Sequence, residues 1–193
     1  MTQIATQMSV TEAINTRCSV RSYTPEKVGQ DAINGLLAAA VRAPTAIHEE
    51  PWVFLIVQDA EKLKRISERA KAFIVQEAVH ARLHQGSHML EAFSRPDFNV
   101  FYNAGTLIVI CADKTGPFVA ADCWLAAENL MLTACSVGLG TCVIGSAVAA
   151  LNAPDMKAEL GIPAEVTAVC PIIVGVPADE PAPTSRKAPR ILG

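Results

Sequence analysis

The chain has 193 residues, 51% of them hydrophobic, and a formal net charge of −3 at pH 7. This length suits one domain, residues 1–193, whose core is large enough to need no disulfide or metal to stabilise it. With a slight acidic excess and no dense run of Lys or Arg, the chain lacks the electrostatic footprint of a nucleic-acid or anionic-membrane binder. The mean hydropathy of +0.29 leaves apolar surface to cover, which favours an oligomer.

The N-terminal residues 1–17 lack the basic start and the unbroken apolar run of a secretory signal. No apolar stretch approaches the roughly 20 residues of a membrane span, so we expect a cytoplasmic protein. The six cysteines are spread singly, without a C-x-x-C pair. Buried, reduced thiols are therefore expected rather than a disulfide framework.

The first half of the chain predicts two helices followed by a strand. Ser9 and Glu12 have the spacing of a capping box, in which each side chain bonds the other residue's backbone at a helix start. Pro44 should stop the second helix, because proline lacks the N–H that a helix interior needs. The predicted elements are a helix that delivers the chain to Arg17, a helix over 31–42, a loop over 43–51 and a buried strand over 52–57.

The second half continues this alternation of helices and strands, which predicts a layered α/β or α+β core. The predicted elements are about thirty residues of helix from Asp59 with a break near 70–72, a strand over 106–111, helices over 120–137 and 154–160 ending at Gly138 and Gly161, and a strand over 166–176. The helix over 120–137 is apolar on most sides, so it must be buried on most sides and is our candidate for the centre of a subunit interface. The proline-rich tail, 177–193, should be extended.

A cationic segment, R-C-S-V-R, follows the first predicted helix and is a candidate anion site. Arg17 and Arg21 offer guanidinium groups, which bind phosphate oxygens with two hydrogen bonds at once, and Ser19 adds a hydroxyl. Arg186 in the tail would strengthen this site if the tail returned to it. A solvated helix end and a solvated tail would explain the same residues.

Two other segments are candidates for contacting a ligand. The loop over 43–52 is rich in hydrogen-bonding groups and lies between an apolar helix and an apolar strand, where α/β proteins often bind ligands. In 138–145, the glycines allow the backbone to approach a flat ring or another strand. The pattern G-x-G-x-x-G fails at Val143, and this segment follows a helix rather than a strand, which argues against a Rossmann dinucleotide site.

The order of these segments resembles the nitroreductase family of flavoproteins. The resemblance is carried by R-C-S-V-R-S-Y from Arg17, A-P-T-A-x-H-x-E-P-W from Ala43, F-N-V-F-Y-N-A from Phe98, G-L-G-T-C-V-I-G from Gly138 and a terminal Arg. Each motif alone is loose, but their order and spacing from Arg17 to Arg186 are specific. The resemblance implies a nitroreductase-like α+β fold, with a central, mostly antiparallel sheet flanked by helices, in a domain-swapped homodimer.

The resemblance also implies an FMN site that the two subunits share. The implied residues are Arg17, Cys18, Ser19, Arg21 and Arg186 at the phosphate and ribityl chain, Pro44, Thr45, Ala46 and His48 of the opposite subunit over the flavin, and Ile144 and Gly145 beside the isoalloxazine ring. Several arginines around a doubly charged phosphate are chemically consistent with this assignment.

The chemistry implied by the resemblance is transfer of hydride from NAD(P)H to the flavin N5, followed by transfer of two electrons to a nitroaromatic, quinone or related acceptor in a ping-pong mechanism. Because the cofactor performs the difficult step, we expect no catalytic side chain. The alternative is a non-catalytic module that binds or stores FMN. Its motivation is that His48 and Glu50 stand where the family usually has Asn and often has Gln.

A third hypothesis is a metal site on the helix predicted from Asp59. Glu77 precedes His80, His84 and His88, whose spacing of four residues repeats along one helix face. A di-iron bundle needs a second, matching motif, and none is visible in the sequence. We therefore expect a solvated helix face or a channel lining here, and no metal.

Overall fold

The computed structural model describes residues 8–80 and 88–192 of the chain. Its strands form one antiparallel sheet in the order β1-β2-β4-β3, so β1 and β3 are the two edges. The strands are β1 (Trp52–Val57), β2 (Thr106–Ala112), β3 (Gly140–Val143) and β4 (Thr167–Gly175). The helices are α1 (Val10–Thr16), α2 (Gln30–Ala40), α3 (Ala60–His80), α4 (His88–Ser94), α5 (Val119–Ser136), α6 (Val148–Leu151) and α7 (Pro154–Leu160). The predicted α+β class is confirmed.

An apolar layer covers each face of the sheet. Successive side chains of a strand point to opposite faces, so β2 sends Ile108 and Ile110 into one layer and Leu107 and Val109 into the other. The first layer is completed by α2 and α5, and the second by α3, α6 and α7. All seven residues of β2 are buried, which explains why its sequence is apolar without alternation.

The local signals at the helix ends are confirmed. The Ser9 hydroxyl accepts the Glu12 N–H, and the Glu12 carboxylate accepts the Ser9 N–H at 2.7 Å. Hydrogen bonds from the Ser9 side chain and from the Ser9 backbone N–H lower the pKa of the Glu12 carboxyl, because they favour its charged form. Gly138 and Gly161 end α5 and α7 with φ of 79° and 70°, the left-handed conformation that glycine adopts without strain.

The predicted break in the helix near residues 70–72 is wrong, because α3 runs without interruption from Ala60 to His80. The polar residues in its middle make tertiary contacts. The Ser67 hydroxyl accepts the Val100 N–H at 3.0 Å, and the buried Lys71 ammonium pairs with Glu68 and donates to the carbonyl of Arg95. The proposed histidine face extends beyond the described residues, since His84 lies outside them and the side chains of His80 and His88 are not described.

The strand β3 was not predicted. The sequence of 138–145 indicated only that this backbone could lie close to a flat ring or to another strand. It has four residues and begins with glycine, so neither its length nor its composition signals a strand. Pairing with β4, which is buried on both faces, stabilises it instead.

The long apolar helix α5 is buried mainly by its own chain. Its inward residues Cys123, Ala126, Leu130 and Ala134 are fully buried in the layer shared with α2. The exposed large apolar residues of α5 are Trp124 and Leu125, on the face that the chain leaves uncovered. No helix among the described residues has the length and apolar character needed to cross a membrane.

Candidate functional site

The cationic segment 17–21 lies beside the edge strand β3. Ser19 forms a parallel bridge with Thr141, and the Val20 N–H donates to the Thr141 carbonyl at 3.0 Å. Burial raises the pKa of the neighbouring Cys142 thiol, while the Arg21 guanidinium, a hydrogen bond from Ser19 and the Arg17 guanidinium oppose this rise. Both arginines and the serine therefore lie near one thiol at the sheet edge, and guanidinium and hydroxyl groups are donors that bind anions.

Arg17 is held only weakly by its own chain. Its side chain is 20% exposed, and its Nε lies 3.9 Å from a carboxylate oxygen of Glu128 on α5, whose side chain is 50% exposed. A long, half-exposed ion pair of this kind contributes at most about 1 kcal/mol. A doubly charged phosphate would therefore compete well for this guanidinium.

A cavity of about 330 Å³ lies on the Arg17 side of the segment. Its wall includes Arg17, Cys18, Cys135, the glycine-rich turn before β3 and three prolines of the tail. Residues 180–192 of the tail form neither helix nor strand, and the tail reaches this cavity because the Thr24 N–H donates to the Val176 carbonyl and the Ala178 N–H to the Ser22 carbonyl.

Arg186 lies further along the tail and is absent from the wall of this cavity. Its guanidinium donates to the carbonyl of the adjacent Ser185, and its side chain is exposed. Within one chain, the structure thus joins Arg17, Ser19 and Arg21 but does not bring Arg186 to them.

A second pocket, of about 100 Å³, lies on the Arg21 side of the segment. It brings Arg21 together with Ile144 and Gly145, the residues expected beside a flat ring. Its apolar wall comes from Phe93, Phe98 and Tyr102, whose rings pack edge to face with centroids 5.4 and 5.8 Å apart.

The aromatic wall was missed as part of the site, although Phe98 and Tyr102 lie in the motif F-N-V-F-Y-N-A. The Arg21 guanidinium lies 5.8 Å from the Tyr102 ring centroid, within reach of a cation–π interaction. Tyr102 and Asn103 have φ of 51° and 59°, a strained conformation that non-glycine residues rarely adopt.

The loop before β1 carries the remaining predicted residues, Pro44, Thr45, Ala46 and His48. Ala46–His48 form a single 3-10 turn, and the Ala46 N–H donates to both carboxylate oxygens of Asp122 on α5, at 3.2 and 3.3 Å. Asp122 is 3% exposed. Its role was missed, because an acidic residue in the first turn of a helix is common whether or not it binds a distant backbone.

The two halves of the predicted site lie at opposite edges of the sheet. The loop precedes β1, whereas the segment 17–21 lies along β3. Adjacent strands are about 4.8 Å apart, so three spacings separate these edges by about 14 Å. No residue of the loop lines either of the two cavities beside 17–21. Within one chain, the residues of each half of the site are therefore close to one another, but the two halves are far apart.

The contact between the segment and β3 leaves no room for a side chain at Gly140. A methyl group there would lie 2.8 to 2.9 Å from the Val20 side chain. We expect Gly140→Ala to push 17–21 away from the sheet and to lower the free energy of unfolding by about 1–3 kcal/mol. Urea denaturation measures this change. Gly35→Ala on α2 is the control, since nothing lies within 4 Å of the added methyl, and alanine should stabilise the helix. Equal stability of the two variants would contradict the close contact.

A four-stranded antiparallel sheet between two helical layers, with a cationic segment along one edge strand, defines an α+β protein with a candidate anion site. The family model described as the nitroreductase family matches residues 14–176. The chain therefore belongs to the nitroreductase family.

Individual relatives agree with this assignment. A Methanothermobacter thermautotrophicus protein assigned as an NADH dehydrogenase/NAD(P)H nitroreductase is 30% identical over 179 residues, covering 91% of this chain and 81% of that protein. The Bacillus subtilis FMN reductase [NAD(P)H] is 29% identical over 188 residues, covering 94% and 70%. The crystal structure of a Bacteroides fragilis nitroreductase with bound FMN superposes with a TM-score of 0.78 at 27% identity, covering 95% of each chain.

Proposed function

We propose that this chain is an FMN-dependent oxidoreductase that takes hydride from NAD(P)H and passes two electrons to a nitroaromatic, a quinone or a related acceptor in a ping-pong mechanism. The observation that carries the proposal is that the segment 17–21 contributes one arginine side chain to the wall of each of two adjacent cavities. Arg17 lines the larger cavity, and Arg21 lines the pocket with Ile144, Gly145 and the aromatic wall.

This arrangement fits a ligand with an anionic end and a flat end, as FMN has. Arg17, Ser19 and Arg21 would supply donors for the phosphate and the ribityl chain, and the pocket that Arg21 shares with Ile144 and Gly145 lies where a ring system would be held. When bound, FMN supplies the hydride acceptor at N5, and the protein supplies position and local charge. The names of the Bacillus subtilis reductase and of the Bacteroides fragilis structure support the same cofactor.

We place the complete site in a homodimer, because one chain holds its two halves at opposite sheet edges. In the dimer, the loop with Pro44, Thr45, Ala46 and His48 would cover the flavin of the partner subunit, and Arg186 would reach the phosphate. Exposed apolar residues support such an interface, with Trp124 and Leu125 on α5 exposed by 45% and 46%, and Ile47 at the loop tip by 82%.

We also propose that residues 1–193 act as one domain in the cytoplasm. Both apolar layers share the same sheet, which supports a single domain. All six cysteines are free thiols, and burial raises the pKa of Cys111 and of Cys170 to about 12, which keeps both protonated at neutral pH. Reduced thiols and a reaction that needs NAD(P)H are both consistent with a cytoplasmic location.

The function is tested by the visible spectrum of protein loaded with FMN and freed of excess cofactor. Under anaerobic conditions, NADH or NADPH should bleach the bound flavin, and a nitroaromatic or quinone should restore its colour. Flavin that binds but never bleaches would favour the storage module, for which His48 and Glu50 are the motivation, since both are exposed where the family usually has amides. Protein that binds no flavin would contradict both proposals.

A further inference from the structure

Asp122 is a buried carboxylate with a defined backbone partner. It lies in the first turn of α5, is 3% exposed and accepts the Ala46 N–H with both oxygens. Burying a carboxylate is unfavourable unless hydrogen bonds compensate, and the positive end of the helix dipole also favours it here. The contact thus links the first turn of α5 to the loop that precedes β1.

The loop that follows this contact has an unfavourable backbone conformation. Ile47, His48 and Glu50 have φ of 49°, 58° and 48°, although none is glycine. Left-handed φ is especially rare for a β-branched residue such as Ile47, and it persists only where neighbouring contacts impose it. Three of the described contacts hold this loop. The Asp122 carboxylate accepts the Ala46 N–H, the Glu49 N–H donates to the Ala46 carbonyl, and the exposed Lys114 ammonium donates to the Glu49 carbonyl.

We propose that Asp122 is a positioning residue that fixes the loop over 45–50 in the shape needed at the flavin of the partner subunit. This inference rests on the proposed FMN site. Asp122 acts through Ala46, because the carboxylate holds the first N–H of the turn from which the exposed Ile47 and His48 project. A residue in the interface helix of one subunit then sets the flavin environment of the other.

Single substitutions test the positioning role. Asp122→Ala should raise the dissociation constant for FMN about tenfold, the effect of losing one hydrogen bond to a charged group, and should change the visible circular dichroism of bound flavin. Asp122→Asn should restore binding to within about threefold, because its amide oxygen accepts the same N–H. Asp155→Ala is the matched control, because Asp155 is also an acidic residue in the first turn of a helix but is exposed on α7 and pairs with Arg69, away from the loop. We expect its FMN affinity to stay within about twofold of wild type. Equal effects of Asp122→Ala and Asp155→Ala would overturn the proposal.

A mixed dimer tests whether Asp122 acts across the interface. Two differently tagged chains, one with Arg17→Ala and one with Asp122→Ala, are coexpressed and the mixed dimer is isolated. If the loop serves the partner, one site carries both defects and the other carries neither. We therefore expect one FMN per dimer bound with wild-type affinity.

The failure of this inference can be told apart from failure of the proposed function. If the wild-type protein binds FMN but the mixed dimer has no site of wild-type affinity, Asp122 does not act on the partner and the inference is overturned while the function stands. If the wild-type protein binds no FMN, both are overturned. Should Asp122→Ala fail to fold, Asp122→Ser takes its place in the same mixed-dimer design, because it keeps a polar group at the buried position but shortens the reach to the Ala46 N–H.

Discussion

Replacing Arg17 with Ala will raise the dissociation constant for FMN by about two to four orders of magnitude, because the guanidinium can donate two charged hydrogen bonds to a phosphate, each worth about 1.5–3 kcal/mol. The fold should persist, since the only ion pair that the described structure gives Arg17 is the long contact with Glu128. Flavin fluorescence quenching measures the affinity, and circular dichroism of the protein reports the fold.

Arg65→Ala is a suitable control for the charge change. Arg65 is half exposed on α3 and pairs with Glu159, away from both cavities beside 17–21. We expect its FMN affinity to equal that of the wild-type protein. Full flavin occupancy in the Arg17→Ala protein, under conditions where the control also binds fully, would exclude Arg17 from the phosphate site.

Leu125→Glu will separate the subunits and release FMN in the same variant. Leu125 is 46% exposed on α5, so a charged side chain there should leave the fold of the single chain intact while placing an unpaired charge in the proposed interface. Burying such a charge costs several kcal/mol, which is enough to shift a dimer towards monomers at micromolar concentration. Light scattering measures the mass, and the absorbance spectrum measures bound flavin.

Lys64→Glu, on the exposed side of α3, serves as the control for added negative charge and should remain a flavin-bound dimer. A stable Leu125→Glu monomer that retains FMN at full occupancy would contradict a site shared between subunits. A Leu125→Glu dimer would instead locate the interface away from α5.

Features of the fold that depend only on residues close together in the sequence were predictable from it. The capping box at Ser9, the left-handed glycine ends of two helices and the apolar runs of β1, β2 and β4 all follow from local chemistry. The predicted break in α3 was wrong and β3 was not predicted, and both segments make contacts that are distant in sequence. Lys71, in the middle of α3, donates to the carbonyls of Arg95 and Pro96, and β3 pairs with β4.

The same distinction applies to the site. Arg17, Ser19 and Arg21 are close in sequence, and the structure places them together beside β3. Asp122 could not be assigned to the loop, because 76 positions separate it from Ala46. The positions of the loop at the β1 edge and of 17–21 at the β3 edge follow from strand order, which no local pattern specifies. Arg186 stays a prediction that depends on the partner subunit.

The segment beside β3 has a further consequence for handling the protein. An uncovered edge strand presents unpaired N–H and C=O groups on which another chain can add a strand, a common route to aggregation. Here the bridge between Ser19 and Thr141 shields that edge with the same residues that are proposed to bind the cofactor phosphate. Cofactor binding should therefore also protect against edge-to-edge precipitation, and cofactor-free preparations should lose solubility first.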